Sequence, residues 1–113
     1  MRLSDLSAEA IAELNLLAAV VELDIADRRV TNSVFYKMIR TESELYAMHT
    51  DLSSATMLLV ARIAATSPLL HTVDMTGNNL GEHGSETAAA LATIPMLHTV
   101  YMVSNNLGEH GPK

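Results

Sequence analysis

The chain has 113 residues, 49% hydrophobic and 18% charged, with 13 Asp and Glu against 7 Lys and Arg and a formal charge of −6. That length holds one domain with a core of its own, and the composition excludes disordered and low-complexity chains. Scattered cations disfavour nucleic acid and anionic membranes, leaving basic or neutral protein partners. The lack of cysteine excludes a disulfide framework and thiolate zinc sites and suits a reducing compartment.

The first element is a helix within residues 1–19. Ser7 is its candidate cap, and Leu6, Ile11, Leu14, Leu17 and Ala18 share one side. The apolar run "LNLLAAVV" is no secretion signal, because Asp5, Glu9 and Glu13 precede it and no cleavage pattern follows. No stretch is long enough to span a bilayer, so a soluble protein is expected, cytoplasmic or, for a bacterial effector, delivered into a host cytosol.

From residue 20 onward the frame is set by an internal repeat. "LHTVDMTGNNLGEHG" (70–84) and "LHTVYMVSNNLGEHG" (97–111) differ only at residues 74, 76 and 77 and their counterparts 27 positions later. An offset of that length marks stacked repeats. The expected units are 20–43, 44–69, 70–96 and an incomplete 97–113, with 1–19 as a cap over the open end. In the first, "VVELDIADRRV" puts Leu23 and Ile25 at strand positions and Arg28 at the position of Asn78. In the second, a shift of 27 sets Tyr46 and Met48 over Val73 and Met75, and Asp51 over Asn78. The following "SSATMLLVARIAATSP" reads as a helix capped by Ser53 or Ser54, with Met57, Leu58, Val60, Ala61 and Ala64 inside and Arg62 outside.

The third unit is the clearest. Val73 and Met75 alternate with Thr72, Asp74 and Thr76, the period of a half-buried strand. Asn78 then bonds neighbouring backbone, and Gly81 and Gly84 serve a tight turn. Ser85 is a candidate cap for a helix with Ala88, Leu91, Ala92 and Ile94 as its packing stripe, ended by Pro95. The fourth unit ends just after its turn, leaving Val100 and Met102 on an edge strand suited to self-pairing.

Leu70, Val73, Met75, Asn78, Leu80, Gly81 and Gly84, and the same seven positions from Leu97 to Gly111, resemble the leucine-rich repeat of the ribonuclease-inhibitor type. The resemblance implies an α/β solenoid of about four units, with parallel strands on a concave face and helices on a convex face. It also implies a role in protein binding. The concave surface would then present Glu22, Asp24, His49, Thr72, Asp74, Thr76, Thr99, Tyr101 and Val103. Tyr101 stands as an anchor or as a partly exposed edge tyrosine.

Catalytic patterns are weak by comparison. His83 with His110, and His71 with His98, form two ladders, but a metal needs three or four convergent ligands and each ladder supplies two. Duplication of a surface residue explains them more simply. Asp24, Asp51 and Asp74 do not share a register, and Met48, Met75 and Met102 fall on the inward strand face as core. No metal, cofactor or catalytic residue is expected. Two functions remain: a non-catalytic module binding a protein through the sheet, or a self-associating structural or regulatory protein pairing through Val100 and Met102 as a homodimer. A metal enzyme using stacked histidines ranks below both.

Overall fold

The computed structural model describes residues 1–103 and residue 105. Besides 3₁₀ turns at Leu3–Asp5 and Gly81–His83, eight elements follow in order: α1 (Ala8–Ala18), α2 (Arg28–Thr31), α3 (Val34–Ile39), β1 (Glu44–Tyr46), α4 (Ser54–Ala64), β2 (Thr72–Asp74), α5 (Gly84–Leu91) and β3 (Thr99–Tyr101). Local chemistry explains most helix starts. Ser7, Ser33 and Ser53 each cap a helix by accepting from the backbone N–H three residues on, and Asp27 accepts from Arg29 N at 2.7 Å. The cap of α4 is thus Ser53 rather than Ser54. No side chain caps α5, which starts at Gly84 with Ser85 already inside it. Its buried residues are Gly84, Thr87 and Leu91, while Ala92 is exposed, so the stripe lies one position away from part of the expected set.

The three strands form one parallel sheet in the order β1-β2-β3. Parallel neighbours need a crossover, and α4 and α5 supply the two. Leu45, Val73 and Met75 face inward and join a core with Leu14 and Leu17 of α1, Phe35 and Ile39 of α3, Met57, Val60 and Ile63 of α4 and Leu91 of α5. Of the inner positions on α4, Met57, Leu58, Val60, Ala61 and Ala64 are all buried. α1 packs along α4, where the Thr56 hydroxyl donates to Asn15 Oδ1 at 2.9 Å.

The expected four-unit leucine-rich-repeat solenoid, with strands on a concave face, helices on a convex one and a helical cap, is not found. The described residues form a small α/β structure with three parallel strands in one sheet and five helices, 36 × 28 × 25 Å in extent. Two physical causes account for the difference.

The first lies in residues 20–31. Leu23 and Ile25 are half-buried against the core but belong to no strand. Asp24 Oδ1 accepts from Ala26 N at 2.9 Å, and Asp27 opens α2, so Arg28 is helical rather than a turn residue. Aspartate side chains that bond their own backbone compete directly with a ladder. The edge of β1 is also taken: Met1 N donates to the Glu44 carbonyl at 2.8 Å, Tyr46 N donates to the Met1 carbonyl at 2.7 Å, and Arg2 bridges Tyr46 in parallel.

The second cause is register. β2 and β3 pair Thr72 with Thr99, an offset of 27, but β1 and β2 pair Glu44 with Thr72, an offset of 28. A one-residue slip turns every side chain to the opposite face. Leu45 and Ala47, not Tyr46 and Met48, therefore point inward, and Thr50 rather than Asp51 stands beside Asn78. Among the described residues, no helix is long and apolar enough to cross a membrane.

Candidate functional site

With one sheet face buried, the other carries side chains that do not join the core: Glu44 and Tyr46 from β1, Thr72 and Asp74 from β2, Thr99 and Tyr101 from β3. Register sorts them into two rows running across the strands. Glu44, Thr72 and Thr99 make the first, and Tyr46, Asp74 and Tyr101 the second. Arg2 extends the second row beyond Tyr46.

Several bonds hold this face in place. The Tyr46 hydroxyl donates to the Glu44 carboxylate, and Asp74 Oδ1 accepts from Thr76 N at 3.0 Å. The ladder continues past the strands, with Ala47 N donating to the Asp74 carbonyl at 2.7 Å and Met75 N to the Tyr101 carbonyl at 2.8 Å. Beyond it, His49 N donates to the Thr76 carbonyl at 2.9 Å and Gly77 N to the Val103 carbonyl at 2.9 Å.

Of the expected surface residues, Thr72, Asp74, Thr99 and Tyr101 lie on this face, with Thr76 and Val103 just past the strand ends. Tyr101 is 49% exposed and Val103 64%. His49 sits in the turn after β1 at φ 50°, its ring against Gly77. Asp24 and Glu22 are elsewhere, in the bent segment before α2 that never reaches the sheet. Val100 and Met102 face the core, half-buried, so an edge contact through β3 would use its backbone rather than these side chains. Tyr46, Glu44 and Arg2 are additions that the 27-residue frame concealed, because it turned Tyr46 inward. The signal that reveals them is the match of Leu45 to Val73 and of Ala47 to Met75 at a shift of 28.

The histidines are divided. His71 and His98 lie on adjacent strand entries, where His98 N donates to the His71 carbonyl at 2.8 Å, and with Leu69 and Met96 they line a shallow cleft. His71 Nδ1 is within 2.7 Å of the Thr72 hydroxyl. His83 Nδ1 lies 3.5 Å from Glu86 Oε1, and His110 falls outside the described residues. Among the described residues, no three His, Asp or Glu side chains come together as a metal site would need. A second hollow, on the helical side, runs between Leu23, Ile25, Ala65, Ala89 and Ala90 beneath the Arg62–Glu86 pair at 3.6 Å. Arg62 also donates to the Val21 carbonyl, so its guanidinium is held against the protein rather than free in solvent.

No family model, curated protein or solved structure matches this chain.

Proposed function

We propose that the protein is a non-catalytic binding module that takes a protein partner on the open face of its sheet. The observation that carries this is the row of Tyr46, Asp74 and Tyr101, held in register on a face outside the core. Tyrosine combines a large apolar body with a polar tip and is enriched among binding hot spots. A rigid sheet presents it at low entropic cost. Kinship with leucine-rich repeats belongs to the same proposal. It is supported by the 27-residue register of β2 on β3 and by Asn78 and Asn105, each donating to the carbonyl three residues back and to a carbonyl just past the preceding strand. The cysteine-free composition suits action in the cytosol.

The test is affinity capture comparing the intact protein with an Asp74→Arg, Tyr101→Ala variant whose fold is verified by circular dichroism. A partner held by the intact protein and lost from the folded variant supports the proposal; one held equally by both overturns it. The second reading, self-association along the outer edge of β3, draws on that strand pairing only with β2 among the described residues. A mass that stays monomeric at high protein concentration removes it.

A further inference from the structure

In a parallel sheet, side chains in register stand about 4.8 Å apart from strand to strand. Tyr46 and Tyr101, each one strand from Asp74, therefore stand about 10 Å apart at their Cβ atoms, with Asp74 between them in register. A cation paired with Asp74 stands one strand spacing from each tyrosine position, a separation comparable with the ~6 Å over which an aromatic ring attracts a cation. The chain uses the same chemistry internally, where the Arg40 guanidinium stands 5.2 Å from the centre of the Tyr36 ring.

The charges on this face have one sign at its centre. Glu44 and Asp74 are the carboxylates, and Asp74 forms no ion pair among the described residues. Arg2 lies on the far side of Tyr46, two strand spacings from Asp74, the Met1 ammonium is held beyond β1 by the Glu44 carbonyl and Glu42, and the other described cations belong to α2, α3, α4 or the turn after α3. The Thr76 amide holds the Asp74 carboxylate in place, and the Glu44 carboxylate holds the Tyr46 hydroxyl. An anionic group here would meet two carboxylates, and a purely apolar one would leave Asp74 without a counter-charge.

We infer that the Tyr46–Asp74–Tyr101 row is a receptor for a cationic side chain, a lysine or arginine of the partner protein, paired with Asp74 where Tyr46 and Tyr101 flank it in register. The inference rests on the sheet-face reading above and names the chemistry of the partner. The fixed carboxylate selects charge and the rings select position. Neither suffices alone, because an exposed ion pair contributes little by itself.

The experiment is a nuclear magnetic resonance titration of the intact protein with N-acetyl-lysine methylamide, beside the uncharged N-acetyl-norleucine methylamide of similar length. The lysine probe is expected to shift signals of Tyr46, Asp74 and Tyr101 where the norleucine probe does not. Affinity should fall about threefold to tenfold in Asp74→Asn and in Tyr101→Leu, persist in Tyr101→Phe, and weaken in high salt. An equal response to both probes, no response on the row, or unchanged affinity in Asp74→Asn overturns the inference.

Repeating the affinity capture with Asp74→Asn separates the two claims. A partner lost from the Asp74→Arg, Tyr101→Ala variant but undiminished with Asp74→Asn leaves docking on the sheet and overturns the cation. A lysine-specific response on the row, with capture indifferent to both variants, upholds the cation site and overturns docking there.

Discussion

The turns that follow β1 and β2 lie side by side, and only one of them organises itself. Asn78, in the second, is 2% exposed and donates to the carbonyls of Met75 in its own turn and Ala47 in the neighbouring one, at 2.8 and 2.7 Å. Its Oδ1 accepts from both the amide and the hydroxyl of Thr50, at 3.0 and 2.7 Å. The first turn has no such side chain of its own. His49 passes through φ 50°, and Thr50 completes its bonding on Asn78. Buried backbone polar groups must be paired, but the partner can come from the next strand. A turn without a bonding side chain of its own can therefore be held by its neighbour's.

The comparison breaks most sharply at the register itself. Leu45→Ala is expected to cost about 2–5 kcal/mol, because the side chain is fully buried in the core. Met48→Ala, at a position 37% exposed, should cost less than about 1 kcal/mol. Urea denaturation of the two variants reads the difference, and the reverse order would return β1 to an offset of 27.

Asn78→Ala follows, at about 2–4 kcal/mol, since the Ala47 carbonyl and the Thr50 donors lose their partner together while the Met75 carbonyl keeps Asn105. Thr50→Val should cost clearly less in the same denaturation series, because the Asn78 donors remain bonded. Equal losses would mean that the first turn holds itself.

Gly77→Ala is next, at about 1–3 kcal/mol. Its φ is 75°, and a Cβ there would meet the His49 ring at 2.1 Å. In a His49→Ala background the clash is gone and only the backbone strain stays. Thermal melts of the four proteins should then show a coupling of about 0.5 kcal/mol or more between the sites.

The smallest effect belongs to the segment that leaves the repeat. Asp27→Ala removes the cap on Arg29 N and should cost about 1 kcal/mol. Accelerated amide exchange confined to α2 would locate that loss.

Sequence pattern made the β2 region legible because its signals are short-range. Val73 and Met75 alternate, Asn78 reaches back three residues, and the inner face of α4 repeats at helical spacing. Ser7 and Ser53 were readable as caps for the same reason, each bonding an amide three residues away. At Ser85 the same pattern misled, because the 3₁₀ turn Gly81–His83 runs straight into α5 and leaves no position for a cap. Most of the candidate site was likewise legible, in Thr72, Asp74, Thr99 and Tyr101.

The rest was decided by contacts between distant parts of the chain. "ELYAMH" alternates acceptably in either phase, since Tyr and Met tolerate both burial and exposure. Its phase is set where Leu45 and Ala47 meet the core and where Met1 and Arg2 occupy the edge of β1. "VVELDIAD" likewise carries a strand-like alternation, yet with that edge taken and its aspartates bonded locally it becomes a bend and a helix start. Amino-acid order alone determined the local turns, most of the caps and the apolar faces, because their hydrogen bonds and periodicities span only a few residues. Tertiary structure alone decided which strand pairs where and in what phase, and so brought Tyr46 beside Asp74, because a one-residue choice of register is degenerate until a core rewards one of its two faces.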